Sequence, residues 1–340
     1  MSPAPSRLAA LAATAGAFVA AGVTATVLDH RRRASRRARR GEHVEFGSVH
    51  STPRTVTATD GVRLNVEVDE PEPGRATGPT VVFVHGWMCT LDTWHYQRLA
   101  LRGQARLVFF DQRSHGGSGR SARSHDTFEQ LADDLRVVLD EVAGPGPVIL
   151  VGHSMGGIAI QRLAIDAPEL FGDRVVGVAL LSTSAGKLVR SSPALRRALP
   201  LLRASGPLLD WGRTFNSYSV IRRWAVGPES DEKYADMTDE MILRAGTHVI
   251  FEFYPAFVDL DVRTAAKALE QVPVTVACGT KDLLTPFGHA KRLVEAIDGA
   301  RLVSLDGSGH MIPFEDHVEV TAIVEDLLAS AGAPVEEDDD

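Results

Sequence analysis

The sequence predicts an α/β fold: a mostly parallel eight-stranded sheet with helices on both faces and a helical cap insertion. Three observations predict it. Short unbroken runs of Val, Ile, Leu and Phe recur along the chain, the pattern of strands covered on both faces. Most of the segments between them carry apolar residues at helical spacing. One stretch, residues 184–261, holds helical patches but no convincing strand and is too long for an ordinary loop.

The elements follow in order. Thr55 to Thr59 and Val62 to Val68 alternate apolar and polar residues around Asp60-Gly61, a hairpin signal. A Pro/Gly-rich connection leads to the run Val81 to Val84, which ends at His85-Gly86. Further runs stand at Leu107 to Phe110, Val148 to Val151, Val175 to Leu181, Val274 to Cys278 and Arg301 to Leu305. Between Phe128 and Val142 the residues Phe128, Leu131, Leu135, Val138, Leu139 and Val142 form one helical stripe. The patches Leu195 to Leu202, Ile221 to Val226 and Met237 to Leu243 make up the insertion. The resulting organisation is an N-terminal apolar segment and arginine-rich arm over 1–45, a core over 46–183 and 262–331, a cap over 184–261 and an acidic tail over 332–340.

Composition narrows the class. With 44% apolar and 24% charged residues, the 340-residue chain is neither disordered, collagenous nor a polytopic membrane protein. The two cysteines, Cys89 and Cys278, offer no disulfide framework or zinc-finger spacing and are read as reduced. The net charge of −8 hides an asymmetry, because residues 1–40 hold eight arginines and one acid. The other 300 residues carry 28 basic and 43 acidic side chains, a body that should repel nucleic acid.

Residues 8–28 form an uncharged run of 21, of which 16 are apolar and nine are alanine. A helix of that length spans about 30 Å, enough for one marginal pass through a bilayer. An interfacial helix is the rival reading, and a disordered basic extension with no membrane role is the plainest one. Seven arginines follow the run rather than precede it, the wrong flank for a secretory signal and one that keeps the body cytoplasmic. The expectation is a membrane-associated chain with a cytoplasmic catalytic body; the alternative is a soluble cytoplasmic protein.

The chemistry centres on Gly152-His153-Ser154-Met155-Gly156-Gly157, lodged between an apolar strand and a helix running through Ile165. Glycines on both sides of the serine permit a tight strand-to-helix turn that exposes Ser154, a nucleophile elbow. An ordinary helix N-cap is the competing reading of that serine. A serine hydroxyl needs a base, and His310 in Gly307-Ser308-Gly309-His310 is the best candidate among twelve histidines, standing just past the last strand. An imidazole in that role needs a carboxylate, and Asp282 follows the penultimate strand in Gly279-Thr280-Lys281-Asp282-Leu283-Leu284-Thr285-Pro286. In the tetrahedral intermediate the elbow supplies one oxyanion donor, the N–H of Met155.

With these motifs in this order the sequence resembles the α/β-hydrolase superfamily over about residues 53–330. His85-Gly86-Trp87 is similar to that family's oxyanion loop, and the resemblance implies the N–H of Trp87 as the second donor. Asp111 to Ser118 is similar to the loop that usually reads D-x-R-G-x-G-x-S, with Ser114 standing at its first glycine. Asp111 is a rival acid but lies on the wrong strand for the family arrangement. The family's other acid position, after the sixth strand, holds Ser182-Thr183-Ser184 and no carboxylate. His85 and His153 read as packing and loop-bracing residues.

The resemblance implies a serine hydrolase of carboxylic esters acting through an acyl-enzyme, because the family's epoxide and haloalkane enzymes carry aspartate at the elbow. A perhydrolase of the non-haem haloperoxidase kind, a carbon–carbon bond hydrolase and an acyltransferase share the triad. A catalytically silent, membrane-tethered binding module is the alternative from another class. The side chains of Met155 and Trp87 are expected to be free to shape the pocket. Trp211, Phe215, Tyr218, Trp224, Phe251, Phe253, Tyr254 and Phe257 are available to line the acyl pocket under the cap, over a small-molecule or lipid-like ester, with core packing between cap helices the leading reading for any single one of them. No metal-ligand spacing, phosphate loop or dinucleotide fingerprint occurs, so no cofactor is expected.

Cell fractionation tests the anchor: the full chain is expected with membranes and a chain beginning at Gly41 in the soluble fraction. Identical partitioning of the two would remove it.

Overall fold

The protein is described from a computed structural model that covers residues 43–75, 78–121, 126–186 and 217–332, together with 188, 201 and 210. The apolar run 8–28, the arginine arm, most of the patch 195–202, Trp211, Phe215 and the acidic tail from 333 onward lie outside the described residues. Among the described residues no helix is long and apolar enough to cross a membrane.

Eight strands form one sheet in the order β1-β2-β4-β3-β5-β6-β7-β8. They are β1 (Arg54–Thr57), β2 (Arg63–Asp69), β3 (Thr80–Val84), β4 (Leu107–Phe110), β5 (Val148–His153), β6 (Val175–Leu181), β7 (Val274–Gly279) and β8 (Arg301–Leu305). β2 runs against β1 and β4, whereas β3 to β8 pair in parallel. The hairpin between β1 and β2 turns at Gly61, whose φ of 89° suits a residue without a Cβ.

The unbroken apolar runs are explained by what covers them. In β3, Val82 and Val84 face one core while Val81 and Phe83 face the other, and Val108/Phe110 and Leu107/Phe109 of β4 divide the same way. The first core is closed by α1 (Phe128–Val138), α2 (Met155–Asp166) and α3 (Gly288–Ala296), the second by α4 (His317–Gly332) and the short helix His95–Leu101.

The stripe expected to continue helically to Val142 changes pitch at Leu139. A π-turn over Leu139–Ala143 replaces the last α-turn, and Gly144 ends it with φ 83°. The wider turn lets Leu139, Val142 and Ala143 all reach the core. At its start α1 carries a capping box, with the Thr127 hydroxyl accepting from the Gln130 N–H and the Gln130 side chain accepting from the Thr127 N–H.

Between β6 and β7 the chain leaves the sheet. The two stems meet where Gly186 bridges Asp261 and the Val262 N–H donates to the Ala185 carbonyl at 2.9 Å. The described part of the excursion is helical over 217–224, Glu232–Arg244 and His248–Val258.

Buried charge ties the hairpin to this frame. Arg113, 1% exposed, makes two bonds of 2.7 Å to the equally buried Asp134 of α1 and bonds of 2.8 and 3.2 Å to Asp60 in the β1–β2 turn. Arg113→Met removes the cation and leaves Asp134 in the core. We expect a loss of about 3–5 kcal/mol of unfolding free energy by denaturant titration; an unchanged midpoint would show that the pair contributes nothing net.

Candidate active site

Parallel pairing of β3 with β5, with Val84 opposite Gly152, makes His85-Gly86 and His153-Ser154 emerge side by side at the carboxyl edge of the sheet. α2 begins at once and packs directly on the β3 backbone. A Cβ at Gly152 would lie 2.6 Å from Ile160 Cδ1, and one at Gly156 would collide with the Val84 carbonyl. Only glycine permits that approach.

Ser154 sits in this turn with φ 51° and ψ −115°, a conformation L-residues rarely adopt. Its N–H donates to the Leu181 carbonyl at 2.9 Å, and its own carbonyl accepts from the Thr183 hydroxyl at 2.7 Å. Its side chain makes no capping bond to α2, so the N-cap reading gives no account of the hydroxyl. A Cβ at Gly86 would lie 3.2 Å from the Ser154 Cβ, which measures how closely the β3 loop passes the serine.

That loop is braced by two imidazoles. The Gln112 N–H donates to Nε2 of His85 at 2.9 Å, so Nδ1 carries the hydrogen and donates to the Gly86 carbonyl at 2.7 Å. His115 repeats the arrangement: its Nε2 accepts from the Met88 N–H at 3.0 Å and its Nδ1 donates to the Arg113 carbonyl at 2.8 Å. Met88 has φ 59°, and Ser114, at the position where the resembled motif has glycine, has φ 67°. Asp111 is committed to the same frame. Its carboxylate accepts from the N–H groups of Leu91 and Gly117 and from Asn65, at 2.8 to 2.9 Å.

His310 follows β8 and Asp282 follows β7, and the Lys281 N–H joins their loops by donating to the Ser308 carbonyl. His310 Nδ1 donates to Asp282 Oδ2 at 2.8 Å. The other carboxylate oxygen accepts from the N–H groups of Leu284 and Thr285, both at 2.8 Å. Burial alone would push the Asp282 carboxyl up, but the His310 imidazole and the bonds from His310 and Thr285 outweigh it and hold it below the usual carboxylate range.

His310 is brought to the Ser154 turn by the serine's neighbour. His153 Nε2 donates to the His310 carbonyl at 2.9 Å, and the two rings lie 4.9 Å apart. Glu315 holds the loop from the other side, accepting from the N–H groups of Gly309 and Met311 at 3.0 to 3.1 Å. The same carboxylate accepts from the Gly227 N–H at 2.6 Å and from the Ser230 hydroxyl, both in the excursion between β6 and β7.

The candidates of the sequence are thus distributed unevenly. Ser154, His310, Asp282 and the Trp87 loop converge on one edge. The side chains of Met155 and Trp87 are not free, contrary to expectation. Met155 is fully buried in the core, because the first turn of α2 faces the sheet. Trp87 packs on the helix His248–Val258, its Nε1–H donating to the Val249 carbonyl at 3.2 Å and its ring 5.2 Å from Phe257. Phe253 is fully buried against His115, whereas Trp224 is half exposed. The contributions of His115, Thr183, Thr285 and Glu315 were not foreseen. The Ser-for-Gly departure at 114 marked the His115 loop, but the other three had no signal in the sequence. Both cysteines are free and buried, and among the described residues no group of three His, Cys, Asp or Glu side chains is placed to hold a metal.

Residues 81–323 match the model of the "Alpha/beta hydrolase family". A bifunctional esterase/perhydrolase of Acinetobacter calcoaceticus is 28% identical over 297 residues, covering 81% of this chain and 98% of that protein. Epoxide hydrolase A of Mycobacterium tuberculosis is 30% identical over 317 residues, covering 79% and 95%. A thermophilic esterase from Thermogutta terrifontis superposes with a TM-score of 0.68 at 22% identity, over 83% of this chain and all of that one, a likeness of fold.

Burial holds the His85 imidazole down at about 4, and holds His115 and His153 down at about 3. All three are neutral in the native protein across pH 5 to 8, whereas in the unfolded chain each takes a proton near ~6.5. The unfolded state therefore binds more protons below that value, and this contribution to stability is present above pH 6.5 and lost as pH falls toward 3. His115→Gln isolates one share. The difference in unfolding free energy, variant minus wild type, is expected to rise by about 1.4 kcal/mol per pH unit lost between 6.5 and 4. Parallel stability curves would show that His115 titrates alike in both states.

Proposed function

The chain belongs to the alpha/beta hydrolase family, and on that premise we propose that it is a serine hydrolase of carboxylic esters working through an acyl-enzyme. Ser154 is the nucleophile, His310 the general base and then acid, and Asp282 the group that orients His310 and stabilises its imidazolium. The backbone N–H groups of Trp87 and Met155 receive the charge that develops on the carbonyl oxygen. Each such donor is typically worth ~3 kcal/mol of barrier.

One observation carries the reading: the 2.8 Å bond from His310 Nδ1 to a buried carboxylate. With Nδ1 donating to Asp282, the lone pair lies on Nε2, the nitrogen that can take a hydroxyl proton. Of the four imidazoles around the turn, His310 alone is oriented this way. His85 and His115 spend both ring nitrogens on backbone groups, and His153 spends Nε2 on the His310 carbonyl while its Nδ1 is buried away from any carboxylate bond. The strained φ of Ser154 and its uncommitted hydroxyl support the nucleophile assignment.

The described part of the excursion, from residue 217 onward, serves as the cap above the acyl pocket, with Trp87 docking its oxyanion loop to the helix His248–Val258. An epoxide reaction is disfavoured, despite the 30% identical relative, because Ser154 offers no carboxylate to form and release an alkyl ester. A second reading is perhydrolysis, in which hydrogen peroxide replaces water as acyl acceptor. The esterase/perhydrolase relative favours it.

Purified protein is expected to turn over p-nitrophenyl esters, with a chain-length preference, and to be labelled by a fluorophosphonate at Ser154. Ser154→Ala should fold normally and lose about a million-fold in turnover, down to the residual level that binding and the oxyanion hole provide. Retention of most activity would identify a different nucleophile. Hydrolysis of a diketone with no ester turnover would replace the esterase reading, and peracid formation on adding peroxide would establish the second one.

A further inference from the structure

Thr285 stands in an unusual place for a residue that the triad does not require. Its hydroxyl lies 2.7 Å from Asp282 Oδ2, the oxygen that accepts the hydrogen bond from His310 Nδ1–H, and 3.2 Å from His310 Nδ1 itself. It is buried, at 3% exposure, as are both partners. We infer that Thr285 is a positioning residue for the proposed hydrolysis: its single hydroxyl fixes both the rotamer of the Asp282 carboxylate and the Nδ1–H tautomer of His310.

The argument is one of hydrogen counting. A threonine hydroxyl has one hydrogen and two lone pairs. Asp282, ionised, only accepts, so across the 2.7 Å contact the hydrogen belongs to Thr285. The hydroxyl then has only lone pairs left to present to His310 Nδ1. That arrangement is satisfied when Nδ1 bears a hydrogen and is opposed when it does not, because two lone pairs would face each other. The hydroxyl thereby reinforces the preference that the Asp282 carboxylate sets, for the tautomer that leaves Nε2 unprotonated.

The geometry is stiffened on every side. The other oxygen of Asp282 is held by the N–H groups of Leu284 and Thr285, which fixes the carboxylate plane. Thr285 is β-branched, with few χ1 rotamers, and precedes Pro286, whose ring keeps the backbone of the residue before it out of the α region. Burial excludes water that would otherwise replace the hydroxyl.

This inference rests on the triad proposed above, and the experiment separates their failures. Thr285→Val keeps the shape and removes the hydroxyl; Thr285→Ser keeps the hydroxyl and removes the methyl. On an ester that the wild type hydrolyses, kcat is expected to fall about 10-fold in Thr285→Val, the size of one lost bond to a charged group, with KM within about twofold. Thr285→Ser should restore kcat to within about twofold of wild type. The downfield ring-proton resonance of His310 in NMR, a readout independent of any substrate, should persist in the wild type and in Thr285→Ser and be lost or displaced in Thr285→Val.

Equal kcat in Thr285→Val and wild type would overturn the inference, as would Val and Ser variants that are equally slow, since the methyl and not the hydroxyl would then matter. Should Thr285→Val fail to fold, an unchanged His310 proton resonance in a folded Thr285→Ala overturns it equally. Ser154→Ala run in parallel tells which idea has failed. If it stays active the triad is wrong; if it is inactive while Thr285→Val matches wild type, the triad stands and only the role of Thr285 falls.

Discussion

The site depends on how closely α2 approaches β3. At Gly156 the helix backbone comes so near the Val84 carbonyl that no side chain fits between them, and Gly152 is packed almost as tightly against Ile160. This contact turns the chain sharply after β5 and forces Ser154 into a positive φ. It also brings Gly86 against the serine, because β3 and β5 are paired up to Val84 and Gly152. A methyl group at position 156 would have to push the strand and helix apart, and the serine and the loop beside it would separate with them.

Electrostatically the surroundings are quiet by design of their hydrogen bonds. His85 and His115 are buried and each accepts a backbone N–H at Nε2, so protonation would set donor against donor there. Burial keeps them neutral, and of the four rings only His310 is hydrogen-bonded to a carboxylate. A neutral frame around one polarised pair keeps the Asp282–His310 interaction from being diluted by neighbouring positive charge.

Much of this could be read from the chain. The strands Leu107–Phe110 and Val175–Leu181 have the bounds that their apolar runs imply, because burial leaves no polar residue to blur their ends; Arg301–Leu305 also has the expected bounds, although its Arg301 and Ser304 are exposed. β5 runs on to His153, two residues past its apolar run, since backbone pairing with Leu180 and Leu181 does not depend on side-chain polarity. The Ser154 turn was legible because its glycines and flanking elements are local. Thr183, Thr285 and Glu315 were not: each makes at least one bond to a group that only tertiary folding brings near, Ser154, His310 and Gly227 respectively, and a lone Thr or Glu carries no periodic or spacing signal. Phe253, an aromatic of the excursion, belongs to the core, as the core-packing reading of any single aromatic there implies.

The Glu315 carboxylate has a consequence for anyone who wishes to exchange the segment between β6 and β7. Two of its donors, the Gly227 N–H and the Ser230 hydroxyl, come from that segment, and the rest come from the turn carrying His310. A chimaera that imports a foreign lid to alter selectivity must supply an amide and a hydroxyl at the same two points. Without them a desolvated anion would be left short of donors directly beneath the base, and a graft chosen only for its lining would disable the machinery it was meant to redirect.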